Sequence, residues 1–261
     1  MNWIEALILG LIQGLTEFLP VSSSGHLELG NILLGIESTE NLTFAVVVHG
    51  ATVLSIIVVL WKDVAGLFQG FSLRKWNETD QYLLKIFISM IPVLILGVFF
   101  KEEIEQFFTG NALLVGAMLL ITALLLTLTH FVKSKNKRIS YLDSLIIGIA
   151  QALAVMPGIS RSGATIATGL LLKNQKEQVA RFSFIMVLIP IIGANLLDII
   201  QGKVGANAEI ATLPLVTGFL AAFISGTLAC RWMLMIVKRG KLVYFAIYCL
   251  LVGSLAILLS I

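Results

Sequence analysis

The chain has 261 residues, of which 58% are hydrophobic and 13% charged, with a mean hydropathy of +0.98 and a formal net charge of +3. Soluble domains carry about 25% charged residues, so this composition excludes an ordinary water-soluble enzyme, a disordered chain and a nucleic-acid binder. The fold class that remains is an all-α integral membrane protein, because the apolar runs are continuous rather than split into alternating strands of about ten residues.

In chain order, the first apolar region covers residues 1–35 and is interrupted between Gln13 and His26 by polar residues, Pro20 and Gly25. It reads as two half-length helices around a loop, a re-entrant hairpin. It lacks the positive n-region of a plain signal peptide. Three runs long enough to cross the bilayer follow, at 43–61, 83–100 and 112–132. A second interrupted region, 141–172, precedes three more predicted spans at 182–200, 213–237 and 242–261. Cys230 and Cys249 fall inside the last two and read as packed thiols without a disulfide.

The two interrupted regions resemble each other. A shift of 138 residues places Ile8, Gly10, Gln13, Leu15, Ser22, Ser24 and Gly25 on Ile146, Gly148, Gln151, Leu153, Ser160, Ser162 and Gly163. Phe44 falls on Phe182 at the same shift, while Pro20 and Pro157 miss by one position. This predicts a single membrane domain of two repeats, 1–132 and 141–261, each a re-entrant hairpin followed by three spans. Charge sets the orientation. Lys133, Lys135, Lys137 and Arg138, then Lys238, Arg239 and Lys241, then Lys62, Arg74 and Lys75, mark cytoplasmic links. The link with Glu102, Glu103 and Glu105, and the link whose one cation is Lys203, fall outside. Three spans per repeat is an odd number, so the second repeat is inverted and the two hairpin tips can meet near the midplane.

The first tip reads Gln13-Gly-Leu-Thr-Glu17-Phe-Leu-Pro20-Val-Ser22-Ser23-Ser24-Gly25-His26. The second reads Pro157-Gly158-Ile-Ser160-Arg161-Ser162-Gly163-Ala-Thr165. In each, a helix breaker precedes hydroxyl residues and a new helix. Serine caps helix N-termini, and the start of a helix presents unpaired N–H groups and a positive dipole end. Arg161 adds a permanent charge suited to phosphate oxygens. An arginine at mid-membrane costs about 2.5–3.5 kcal/mol on the insertion scale, so it needs a partner or a wet cavity. The expected ligand is a phosphate or a carboxylate. Glu17 and His26 make the site reactive as well as anion-binding, and Gln13 and Glu17 share a helix face at i, i+4. A carboxylate, an imidazole and hydroxyls beside an anion cradle suit phosphoryl transfer. Glu28 and Asp198 are further candidates to line the cavity, although Asp198 lies close to the outer end of its predicted span, which favours simple interfacial placement. His49 can approach the site or serve packing, Arg231 can snorkel, and His130 carries no assigned role.

The two tips resemble the signatures of the undecaprenyl-diphosphate phosphatases, also called bacitracin-resistance proteins. The resemblance implies a multi-pass hydrolase of the bacterial cytoplasmic membrane, its site open to the outer, periplasmic face. It implies hydrolysis of undecaprenyl diphosphate to undecaprenyl phosphate and phosphate, which recycles the lipid carrier of peptidoglycan synthesis. It also implies dependence on a divalent cation, Mg2+ or Ca2+. The family motif begins with Glu or Gln. Here it is Gln13, which leaves Glu17 as the one carboxylate of that pair and the candidate metal ligand. Arg161 matches the arginine that clamps the diphosphate. Ser160, Ser162, Gly163 and Thr165, with Gln13, Ser22, Ser24 and Gly25, match its polar surroundings. Ser23 and His26 both stand at matching positions for the nucleophile, and Ser23 activated by His26 is the preferred arrangement. Partners are then the prenyl diphosphate lipid and the bilayer, with no nucleic acid; a homodimer is left open. The alternative from another class is a transporter or flippase for an anion or a prenyl phosphate lipid, since inverted repeats with broken helices are common in carriers.

Overall fold

The computed structural model describes residues 1–36, 41–71, 76–100, 103–104, 111–133, 135–202 and 211–260. The expected topology markers Arg74, Lys75, Glu102, Glu105 and Lys203 lie outside the described residues. The described chain is helical, and its only β-type pairing among those residues is an isolated bridge between Lys137 and Asn174.

Twelve helices are described. The first region forms α1 (Trp3–Phe18) and α2 (Ser23–Leu34), followed by α3 (Asn41–Val59), α4 (Trp61–Gly70), α5 (Glu78–Phe99) and α6 (Ala112–His130). The second forms α7 (Tyr141–Leu153) and α8 (Arg161–Leu171), followed by α9 (Lys176–Met186), α10 (Leu188–Ile200), α11 (Thr212–Arg239) and α12 (Val243–Ser260). Both interrupted regions are thus helix pairs broken where the sequence places proline. By length and composition α5, α6, the continuous stretch Lys176–Ile200, α11 and α12 can cross a membrane. α3 and α4 together make a sixth candidate, bent by 76°. This is a multi-pass membrane protein.

Local chemistry explains the boundaries. α1 starts with a capping box in which Asn2 bonds the Glu5 amide and Glu5 bonds back. α7 starts with the same device between Ser140 and Asp143. The offset is again 138 residues, from Asn2 to Ser140 and from Glu5 to Asp143, so the repeat extends to the helix caps. Lys137 adds a 2.9 Å ion pair to Asp143.

Three expected boundaries move. The span predicted to begin at 83 starts at Glu78, after a capping box between Asn77 and Asp80. The span predicted to end at 61 bends at Leu60 and continues as α4, where a plain link was expected. The run predicted to begin at 182 starts at Lys176. Paired charges account for the last two shifts. Arg181 donates to both carboxylate oxygens of Asp63, at 2.8 and 2.6 Å, which ties α4 to α9. Glu177 pairs with Arg181 and with Lys238 at the end of α11. Charges that seem to end an apolar run are neutralised in a cluster at one end of the bundle.

The halves interlock. α1 packs on α11, α7 on α5, and α6 on α12. The last contact is reciprocal: a Cβ on Gly116 would lie 2.8 Å from the Gly253 carbonyl oxygen, and a Cβ on Gly253 would lie 2.8 Å from that of Gly116. Only hydrogens let these backbones approach so closely. Cys230 and Cys249 are free thiols, both buried, as expected.

Gly116→Ala is expected to destabilise the protein by about 1–3 kcal/mol through overpacking. Gly97→Ala, where a Cβ meets nothing within 4 Å, should leave the melting temperature in detergent at or above that of the parent. Equal melting temperatures for both variants would contradict the close approach.

Candidate active site

The site begins with two helix starts. Ser22 caps α2 by accepting from the Gly25 amide at 3.3 Å, and Ser160 caps α8 by accepting from the Gly163 amide at 3.0 Å. Beside each cap a second serine hydroxyl approaches, Ser24 at 3.4 Å from Ser22 and Ser162 at 3.3 Å from Ser160. The amides at the first two positions of each helix, Ser23 and Ser24, Arg161 and Ser162, have no intrahelical acceptor, as at the start of any helix.

The tips touch. Ser162 Oγ donates to the Leu19 carbonyl at 3.2 Å, and a Cβ on Gly25 would lie 3.1 Å from Gly158 Cα. Gly158 has φ +96°, and a Cβ there would meet the Val115 carbonyl oxygen at 2.5 Å, so glycine is required on both counts. Thr122 of α6 fastens the second tip, accepting from the Ser160 amide at 3.0 Å and donating to Gly158 O at 3.2 Å. On the first tip, Cys249 of α12 lies against the Pro20 carbonyl, with Sγ 3.6 Å from its oxygen.

Between the tips sits Glu17, its side chain 6% exposed. Ser23 Oγ donates to Glu17 Oε2 at 2.6 Å, and Gln13 Nε2 donates to the same oxygen at 3.1 Å. The other oxygen, Oε1, faces Arg161 at 3.9 Å. Arg161 is 30% exposed and keeps further donors for a ligand. The Glu17 carboxylate is also within electrostatic range of His49, whose Nδ1 bonds the Ala45 carbonyl at 2.8 Å. A gap of about 10 Å³ lies among Glu17, Arg161, Ser162, Thr165, Ser183 and apolar side chains, about enough for one water. Thr165 is hydrogen-bonded to Ser183.

The structure brings Gln13, Glu17, Ser23, Arg161, Ser162 and Thr165 together and places Ser22, Ser24, Gly25, Ser160 and Gly163 in the two caps. His26 lies elsewhere than expected. Its Nδ1 is 2.8 Å from the Ser22 carbonyl and its Nε2 is 2.8 Å from the Tyr248 hydroxyl. The expected Ser23–His26 pairing is therefore replaced by Ser23–Glu17. Neither Glu28 nor Asp198 lines the gap. The sequence reading missed Thr122, Ser183 and Tyr248. Thr122 and Ser183 are lone hydroxyls within apolar stretches, the one available signal, and Tyr248 gave none.

Among the described residues no group of three or more His, Cys, Asp or Glu comes together to hold a metal ion. Two oxygens are suited to a hard cation all the same. Glu17 is one source. Gln13 Oε1 is the other, fully buried and without a hydrogen-bond partner among the described residues.

The cluster is thus a buried carboxylate bonded to a serine hydroxyl, opposed by an arginine and flanked by the starts of two helices. The family description "Bacitracin resistance protein BacA" matches residues 6–255, and the chain belongs to that family. It is 56% identical over 264 residues to an undecaprenyl-diphosphatase of Bacteroides fragilis, covering all of this chain and 99% of the relative. It is 55% identical to the enzyme of that name from Parabacteroides distasonis, with 98% of each chain covered. For that of Salinibacter ruber the identity is 43%, over 98% of this chain and 99% of the relative.

Thr122→Val should destabilise the fold by about 1–3 kcal/mol, because it strands the buried Ser160 amide and Gly158 carbonyl. Thr122→Ser keeps the hydroxyl and should melt close to wild type. Identical melting of the valine variant would remove Thr122 from the support of the second tip.

Proposed function

We propose that this chain hydrolyses undecaprenyl diphosphate to undecaprenyl phosphate and inorganic phosphate, and so recycles the lipid carrier of peptidoglycan synthesis and confers bacitracin resistance. The observation that carries the reading is the 2.6 Å Ser23–Glu17 hydrogen bond on a carboxylate also faced by Arg161. A carrier needs an anion cradle but has no use for a hydroxyl poised on a base.

The diphosphate rests on the free amides of α2 and α8 and on the exposed side of Arg161, with the prenyl chain left in lipid. Ser23 Oγ attacks the terminal phosphorus while its proton passes to Glu17 Oε2. The bond from phosphorus to the bridging oxygen breaks and undecaprenyl phosphate leaves. The amides and Arg161 face the charge that develops on the phosphoryl oxygens. A water in the gap beside Glu17 and Thr165 then attacks the phosphoserine. Its proton goes to the carboxyl site as Ser23 recovers its own; Glu17 then passes that proton to the departing phosphate and is a carboxylate again. A divalent cation, Mg2+ or Ca2+, would be held by Glu17 and Gln13 Oε1 together with substrate oxygens, and would neutralise diphosphate charge.

The same reading takes the architecture as two inverted repeats with re-entrant hairpins and six spans in the bacterial cytoplasmic membrane. The crossed packing of α1 on α11 and α7 on α5, and the reciprocal glycines of α6 and α12, support it. The basic, ion-paired end faces the cytoplasm, and the site opens to the periplasmic side.

Purified protein in detergent should release phosphate from undecaprenyl diphosphate, and a chelator should abolish release. Ser23→Ala and Glu17→Gln should each lower the rate about 100-fold or more. Arg161→Lys, which loses the bidentate fork, should lower it about tenfold or more. Undiminished release by Ser23→Ala, or a phosphoryl group trapped on His26, would overturn the assignment of the nucleophile. Gln13→Glu supplies a second carboxylate and should lower the cation concentration needed for half-maximal rate; a higher requirement would remove Gln13 from the cation site.

A further inference from the structure

The first tip carries backbone strain that the second lacks. Ser22 has φ +71° and ψ +98°, in the left-handed half of the map, whereas the corresponding cap Ser160 has φ −70° and ψ +117°. A non-glycine residue held there is strained and persists only where its surroundings enforce it. Ser22 is the residue just before Ser23, so its conformation sets where the Ser23 hydroxyl points.

His26 enforces that conformation. The Ser22 carbonyl accepts from the His26 backbone amide at 3.1 Å and lies 2.8 Å from His26 Nδ1. A carbonyl oxygen only accepts, so Nδ1 carries a proton. In the neutral ring Nε2 is then the bare nitrogen, and its partner must donate. That partner is the Tyr248 hydroxyl at 2.8 Å, with the two rings 5.6 Å apart and inclined by 15°. If Tyr248 were to accept instead, the proton would sit on Nε2 and two lone pairs would oppose each other at the Ser22 carbonyl. The chain of donors runs from Tyr248 O–H to Nε2, and from Nδ1–H to the Ser22 carbonyl. Tyr248 belongs to α12, and the next residue, Cys249, contacts the Pro20 carbonyl on the same tip. One helix turn of the last span therefore holds both sides of the strained loop.

We propose that Tyr248 is a positioning residue: its hydroxyl, donated to the bare Nε2, holds the His26 ring against Ser22 and so aims Ser23 at Glu17. The proposal rests on the phosphatase reading for its kinetic consequence, but the tautomer is independent of that reading.

The test is Tyr248→Phe, which removes one oxygen and keeps the ring. The protein has three histidines, His26, His49 and His130, so 15N-histidine spectra of the detergent-solubilised protein can be assigned with His26→Asn. In the parent, the His26 signals should show a protonated Nδ1 and a bare Nε2. In Tyr248→Phe the Nε2 signal should shift as it loses its hydrogen-bond donor, with Nδ1 still protonated. The kcat should fall about tenfold, the size of one neutral hydrogen bond, while KM stays near its parent value. In the His26→Asn background, which has no ring for Tyr248 to hold, Tyr248→Phe should have no further effect. Unchanged ring signals in Tyr248→Phe, an unchanged kcat, or additive losses in the double variant would each overturn the proposal. Absence of phosphate release by the parent would sink the phosphatase reading, and the spectra would still decide the tautomer.

Discussion

A carboxylate buried in the apolar middle of a membrane protein is the constraint around which this molecule is built. Glu17 is almost shielded from solvent, and an ionised group in such surroundings is tolerated only with compensating charge and hydrogen bonds. Arg161 supplies the charge, and Ser23 and Gln13 supply the hydrogen bonds. These partners come from both halves of the chain. Satisfying Glu17 therefore requires the tips to meet, and meeting requires glycine at the contact and hydroxyl caps on both helices. The energetic demand of one side chain dictates the junction of the fold.

The junction is built from like parts that have diverged. At the shift that aligns the two interrupted regions, Ser22, Ser24 and Gly25 meet Ser160, Ser162 and Gly163, which is the cap machinery and is retained in both. The residues between and beside them differ. Glu17 meets Val155, Ser23 meets Arg161, and His26 meets Ala164. Both tips keep a serine that caps the start of a helix. At the differing positions the first has a carboxylate, a hydroxyl and an imidazole, and the second has a guanidinium. On the proposed reading, divergence at a few positions turns like parts into a site with a reactive side and a binding side.

Much of this was legible in the sequence because membrane helices leave strong traces. Continuous apolar length shows a span, and a proline and a glycine inside such a length show a break. An arginine and a glutamate at those breaks show where polar chemistry must gather. What was not legible depends on three-dimensional neighbours. The start of α9 at Lys176 and the extension past Leu60 were hidden because Asp63, Glu177, Arg181 and Lys238 read as ends of apolar runs until their mutual pairing is known. The partner of Ser23 was misread because spacing within one tip cannot show which way His26 turns. That direction is set by Tyr248, 222 residues away in the chain.

The same contacts bear on whether such an architecture moves. Alternating access in carriers works by rocking one repeat against the other about a central site. Here the repeats are joined at several points that such rocking would break. Gly116 and Gly253 bring backbones together with no side chain between them to slide, and overpacking penalises any shift in register. Thr122 holds the second tip from the first half, and Tyr248 and Cys249 hold the first tip from the second half. Each tip is thus fixed by the opposite repeat, and relative motion would disturb both sides of the Ser23–Glu17–Arg161 cluster at once. Phosphoryl transfer gains from that rigidity, because a nucleophile aligned before substrate arrives lowers the barrier through orientation alone. On the proposed reading, the crossed fastening makes the fold a frame for holding groups in place.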